Sequence, residues 1–144
     1  MPNWTENNVT ITSKSKTHLD RLEERLKSED NVFDFNKVVP MPKNIFTGNL
    51  GDEERKKHGS LNWYDWSLKN WGTKWNSVDA VVERISDTEI DYFFLTAWSP
   101  PMEIYLALLN KFNRFSNHKF LWICVDEDER DNIYSLNDYL ETND

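Results

Sequence analysis

The hydrophobic period of this chain switches from two to about 3.6 and back, twice, and that alternation constrains its fold more than any single motif. Residues 3–12 read NWTENNVTIT, with Asn7, Val9 and Ile11 on one face and Asn8, Thr10 and Thr12 on the other. Such alternation, rich in β-branched residues, predicts a strand with one wet side. The following SKSKTHLDRLEERLKSED brings Leu19, Leu22 and Leu26 onto one helical stripe. Thr17 is the predicted N-cap, and Asp20 lies near the positive end of that helix. NVFDFNKVV alternates again through Phe33 and Phe35 and predicts a second strand, before Pro40 and Pro42 stop any regular element.

Over residues 43–75 the periodicity lapses. This stretch holds all four glycines, a charge run over 52–57, and Trp63, Trp66, Trp71 and Trp75. On a helical wheel the four indoles cover about half the circumference, and Gly72 interrupts them, so short turns are predicted rather than one amphipathic helix. Unstructured loops of this length are uncommon in compact domains, which marks the segment as functional or partly structured. Beyond it, VDAVVERI and EIDYFFLTAW form two predicted strands separated by Ser86, Asp87 and Thr88. Ser99 and Pro100 then read as the cap and first position of a helix with Ile104, Tyr105, Leu108, Leu109 and Phe112 on its apolar face. HKFLWICV is apolar on both sides, as an interior strand is. The last residues open with an acidic run and show weak helical spacing at Ile133, Leu136 and Leu140.

Two helices over one face of a mainly antiparallel sheet satisfy this order, because the wet face of the first strand argues against cover on both sides. The expected fold is α+β and ferredoxin-like, the split β-α-β arrangement with one extra strand and a long Trp-rich insertion. Residues 1–125 form the expected single domain, with the insertion at about 40–76, and 126–144 form an acidic C-terminal appendage.

Several stretches resemble, in order, the YubB-like proteins carried by plasmids and bacteriophages. They are MPNW with Asn7, FNKVVPMP at 35–42, YDWSLKNWGTKW at 64–75 and TAWSPP at 96–101. The similarity covers roughly residues 1–125, and the resemblance implies a ferredoxin-like domain, a mobile-element context and no assigned activity. Many family members carry cysteine where Thr5 stands, so thiol chemistry at that point is absent here.

The chemistry of the residues narrows function further. A net charge of −8 opposes general affinity for nucleic acids or anionic membranes, since phosphate contacts need an excess of Lys and Arg. Cys124 is the only cysteine, so no intrachain disulfide forms, and the cytoplasm is the expected compartment. No apolar run approaches the roughly 20 residues of a membrane span. His18, His58 and His118 are isolated in sequence, without zinc spacing. DEDERDN lacks a calcium loop's ligands, because Arg130 and Asn137 stand where acids belong. Gly48 and Gly51 have neither the Walker lysine nor Rossmann spacing. No metal or cofactor is expected, and Cys124, inside the most hydrophobic strand, reads as a buried structural thiol.

Charge and aromatic density coincide around Asp65, Lys69, Trp71, Lys74, Trp75 and Trp98, the candidate binding residues. The same indoles also suit a satellite core rolled over the sheet edge, with lysine stems packed on the rings. Asp126, Glu127, Asp128, Glu129 and Asp131 form a candidate acidic surface. The leading expectation is a small accessory protein that binds a host or phage protein, in an anti-defence or regulatory role in which carboxylates imitate nucleic-acid phosphates. The alternative is a small-ligand binder or enzyme with its pocket at the Trp-rich loop.

Overall fold

A computed structural model describes residues 3–112, 117–127 and 129–138. Strand β1 (Trp4–Ser13) leads into helix α1 (Lys16–Leu26), a 3-10 turn (Phe35–Lys37), and helices α2 (Asp52–His58) and α3 (Trp63–Asn70). Strands β2 (Val78–Arg84) and β3 (Glu89–Ala97), helix α4 (Met102–Phe112), and strands β4 (His118–Asp126) and β5 (Glu129–Ser135) follow. The result is an α+β architecture with one five-stranded sheet in the order β2-β3-β1-β4-β5. Every neighbouring pair is antiparallel.

The register puts Val9 beside Tyr92 and Trp122, so odd positions of β1 and even positions of β3 and β4 share one face. That face holds the core: Val9, Ile11, Ile90, Phe94, Trp122 and Cys124 have no exposed surface. Leu19, Leu22 and Leu26 of α1 and Ile104, Tyr105 and Leu108 of α4 close over it. Phe33 is the hub, with ring centroids 4.8 Å from Phe94, 5.1 Å from Tyr92 and 6.0 Å from Trp122. Tilted and edge-on ring pairs of this kind add roughly 0.5–1.5 kcal/mol each beyond area burial. Buried Asn7 joins the polar ends, accepting from Trp122 Nε1 at 3.0 Å and donating to Thr96 Oγ1 at 3.0 Å.

Several local expectations are corrected. The alternating 31–39 stretch forms no strand: Ser77 donates to the Phe33 carbonyl, and Asn76 accepts from the Phe35 N–H and donates to Asp34. These side chains satisfy the backbone that a sheet would otherwise pair, so Phe33 and Phe35 both plug the core. The fifth strand comes instead from β5, where weak helical spacing is expected, and Leu136 just beyond it enters the core. Residues 43–75 carry two short helices rather than turns alone. The charge run builds α2, with acids in its first turn and bases in its last, complementary to the helix dipole. Helix α1 is capped by Ser15, not Thr17. Helix α4 starts at Met102, and Ser99 Oγ donates to the Gly72 carbonyl instead of capping it.

Candidate functional site: an aromatic ledge beside an open sheet face

Helix α3 begins with a reciprocal cap. Asn62 Oδ1 accepts from the Asp65 N–H at 2.9 Å, while Asn62 Nδ2 donates to Asp65 Oδ2 at 2.7 Å. The pairing satisfies orphan groups of the first turn, so the Asp65 carboxylate is engaged in holding α3. The helix ends where Gly72 turns at φ +82°, a conformation that costs glycine little. A Cβ at Gly72 would sit 2.9 Å from the Met102 nitrogen, so the chain here presses against the start of α4. Ser99 and Thr73 lock the two segments together, through Ser99 Oγ to Gly72 O at 2.8 Å and Thr73 Oγ1 to Ala97 O at 2.7 Å. NWGTKW is thus docked onto TAWSPP, and their aromatic residues divide into two groups.

Trp71 belongs to the core. It is 3% exposed, donates from Nε1 to the Val39 carbonyl at 2.8 Å, and meets Trp66 and Phe35 edge-on. Trp98 stays outside and Trp75 is half-buried at the surface, with the Lys74 ammonium 4.4 Å and 4.5 Å from their respective ring centroids. The ledge continues through Trp4, 6.1 Å from Trp75, and Tyr64, 6.2 Å from Trp98. Trp98 is 48% exposed, and its φ of +71° is rare for a bulky residue. Of the candidate binding residues, the structure brings Lys74, Trp75 and Trp98 together. Asp65 is tied to its cap, Trp71 lies inside, and Lys69 is exposed on α3.

Trp4 is a ledge residue that sequence reasoning missed. It shares the even-numbered parity of Asn8 and Thr10 on β1, so it stands at the end of the face opposite the helices. On that face Val81, Phe93, Leu121 and Ile133 are 58%, 36%, 48% and 64% exposed. Cross-strand register sets Val81 beside Phe93, Phe93 beside Asn8 and Asn8 beside Ile123, and it sets Glu6 between Leu95 and Val125. Carboxylates of Glu6, Glu83 and Asp91 are interspersed among these apolar groups, with Lys119 at one end.

The candidate acidic surface is divided. Asp126 accepts from Thr5 Oγ1 and Tyr134 Oη, and Glu127 accepts from the Trp4 N–H at 2.7 Å. Both therefore fasten the start of β1 and its neighbours. Glu129 and Asp131 belong to β5, with side chains outside the description, and Asp128 lies outside the described residues. Burial, and then Asp126, push the Cys124 thiol up to about 12, so it stays protonated near neutrality and is a poor nucleophile. Among the described residues no group of three or more His, Cys, Asp or Glu side chains could hold a metal ion. No helix among them is long and apolar enough to cross a membrane.

The chain matches no protein-family model, no curated protein and no solved structure. The ledge and the open face therefore carry the functional argument by themselves. Their chemistry combines broad indole and apolar area with carboxylates between, and Lys74 is the cation on the rings.

Proposed function

We propose that this chain is a small acidic accessory protein that works by binding another protein through the open sheet face and the adjoining Trp75–Trp98 ledge. The observation that carries the reading is the exposure of Val81, Phe93, Leu121 and Ile133 on one sheet face, interspersed with carboxylates. Contiguous exposed apolar groups with a polar surround mark interaction surfaces, and exposed indoles are favoured anchors at such surfaces. In its specific form, the carboxylates stand in for nucleic-acid phosphates and occupy a basic groove of a host protein. The net charge of −8 supports that form.

The proposal includes a ferredoxin-like fold and membership of the YubB-like proteins of plasmids and bacteriophages. The order β2-β3-β1-β4, with α1 and α4 as the two crossing helices, supports the fold, β5 being an added edge strand. The motifs NWGTKW and TAWSPP support the membership. The rival pocket at Asp65, Lys69, Trp71, Lys74 and Trp98 lacks support, because Asp65 is bonded to Asn62 and Trp71 is buried.

Affinity capture from bacterial lysate at low salt, with wild type, Phe93→Ser and Trp98→Ala side by side, tests the reading. A stoichiometric protein is expected on wild type, reduced on both variants, and shed as salt rises, since screening shortens from about 10 Å at 0.1 M to 3 Å at 1 M. Equal capture by all three chains, or none by wild type, would overturn it.

A further inference from the structure

A second site lies far from the ledge, where α1 meets the end of α4 and the start of β4. A cavity of about 210 Å³ opens there, lined by His18, Arg21, Arg25, Phe112, Asn117 and His118. Its charge is opposite to that of the molecule as a whole.

Helix α1 separates its charges by face. Asp20 and Glu23 pair with Arg84, each at 2.9 Å, on the side towards β2. Among the described residues, neither Arg21 nor Arg25 pairs with a carboxylate. Both line the cavity, Arg25 with its guanidinium 5.8 Å from the Phe112 centroid. Lys111 also lines it and donates to the Val38 carbonyl. Among the described residues no carboxylate lines the cavity.

The two histidines, a hundred residues apart in sequence, stand edge to face with centroids 6.2 Å apart. Ser13 Oγ holds His118 Nδ1 at 2.6 Å, and Ser15 Oγ holds His18 Nδ1 at 2.7 Å. Each ring is thereby oriented through one nitrogen, which leaves its Nε2 for a ligand. Ser15 is also the cap of α1, so the helix start positions one of the two rings.

We propose that this cavity binds a phosphoryl group, as free phosphate or at the end of a small phosphate ester, between Arg21, Arg25 and the paired imidazoles. Two guanidiniums and two ring nitrogens suit the three terminal oxygens of a phosphoryl group better than the two of a carboxylate. The volume is several times the roughly 30 Å³ share of a liquid water but below the roughly 300 Å³ where drug-sized pockets begin. It therefore accommodates a phosphoryl head rather than a whole nucleotide. Because the protein's overall field repels anions, affinity must arise from these local donors.

The test follows the ring protons of the histidines by NMR in the full chain while inorganic phosphate, methyl phosphate or acetate is added at constant ionic strength. Saturable shifts of His18 and His118 with phosphate, absent with acetate, are expected. Arg21→Gln with Arg25→Gln, both at exposed positions, should weaken binding by at least about tenfold and leave the circular dichroism unchanged. Saturation by methyl phosphate as well would assign an ester ligand; saturation by phosphate alone would assign the free anion. Non-saturating shifts, equal shifts with acetate, or unchanged binding in a folded double variant would overturn the proposal.

Discussion

The ammonium of Lys74 lies 4.4 Å from the ring centroid of Trp98, whose backbone is held at φ +71° to present that ring. Left-handed backbone costs an L-residue about 1–2 kcal/mol, while a surface cation–π contact returns roughly 0.5–1 kcal/mol. The contact alone does not offset the strain, and the Trp98 N–H bond to the Asn3 carbonyl at 2.8 Å helps to hold it. Trp98→Gly is expected to be more stable than Trp98→Ala by about 1 kcal/mol, because glycine relieves the backbone. Both should lose the proposed partner equally. Urea denaturation of the two variants checks the order, and the reverse order would refute strain at this site.

Trp71, four residues from Trp75, should behave in the opposite way. Its truncation removes an indole packed on Trp66 and Phe35 and orphans the Val39 carbonyl it serves. Trp71→Ala is expected to destabilise by about 3–5 kcal/mol. Thermal unfolding that showed Trp71→Ala and Trp98→Ala to be equally mild would contradict the division between core and ledge.

Among the described residues the buried Tyr92 hydroxyl has no hydrogen-bond partner, and burial pushes its ionisation well above the ordinary tyrosine range. An unsatisfied buried hydroxyl costs about 1–3 kcal/mol of desolvation. Tyr92→Phe keeps the ring contact with Phe33 and removes that cost, so stability should rise by about 1 kcal/mol. A lower denaturation midpoint in Tyr92→Phe would show that the hydroxyl is satisfied after all.

Burial, with His18 alongside, holds His118 below the ordinary histidine range. In the unfolded chain it titrates near 6.5. Between its folded and unfolded values the unfolded chain binds more protons, so stability rises with pH across that interval. The contribution is complete above about pH 6.5 and is lost as pH falls towards the folded value. In phosphate-free buffer, the urea midpoint should drop from pH 7.5 to 5.5 more steeply for wild type than for His118→Gln. Parallel curves would remove His118 from the pH response.

Period-two alternation was a reliable guide for β1, where Val9 and Ile11 are buried and Asn8 and Thr12 exposed. It misled at Phe33 and Phe35, because alternation reports which side chains need burial and not what their backbone bonds to. There, Asn76 and Ser77, some forty residues away, supply the partners. Similarly, the density of tryptophan in WYDWSLKNWGTKW was plain, but which rings are inside was not. Trp71 and Trp75 are the same residue type four positions apart, and the adjoining Lys74 does not by itself say which ring is buried. Only the turn at Gly72 against Met102 separates them. Trp4 and the His18–His118 pair were invisible as site residues for a simpler reason: their neighbours are distant in sequence.

By itself the sequence determined helices α1 and α4 and the central strands, the single wet face of β1, the burial of Cys124 and the absence of zinc-ligand spacing. These follow from local periodicity and from residue chemistry, which a linear chain displays directly. The tertiary structure alone decided that β5 completes the sheet, that Trp75 and Trp98 flank one lysine, and that two serine-held imidazoles line one cavity with Arg21 and Arg25. Such features arise from long-range register and helix docking, where a few ångströms decide whether a side chain finds a partner, and no local pattern encodes that.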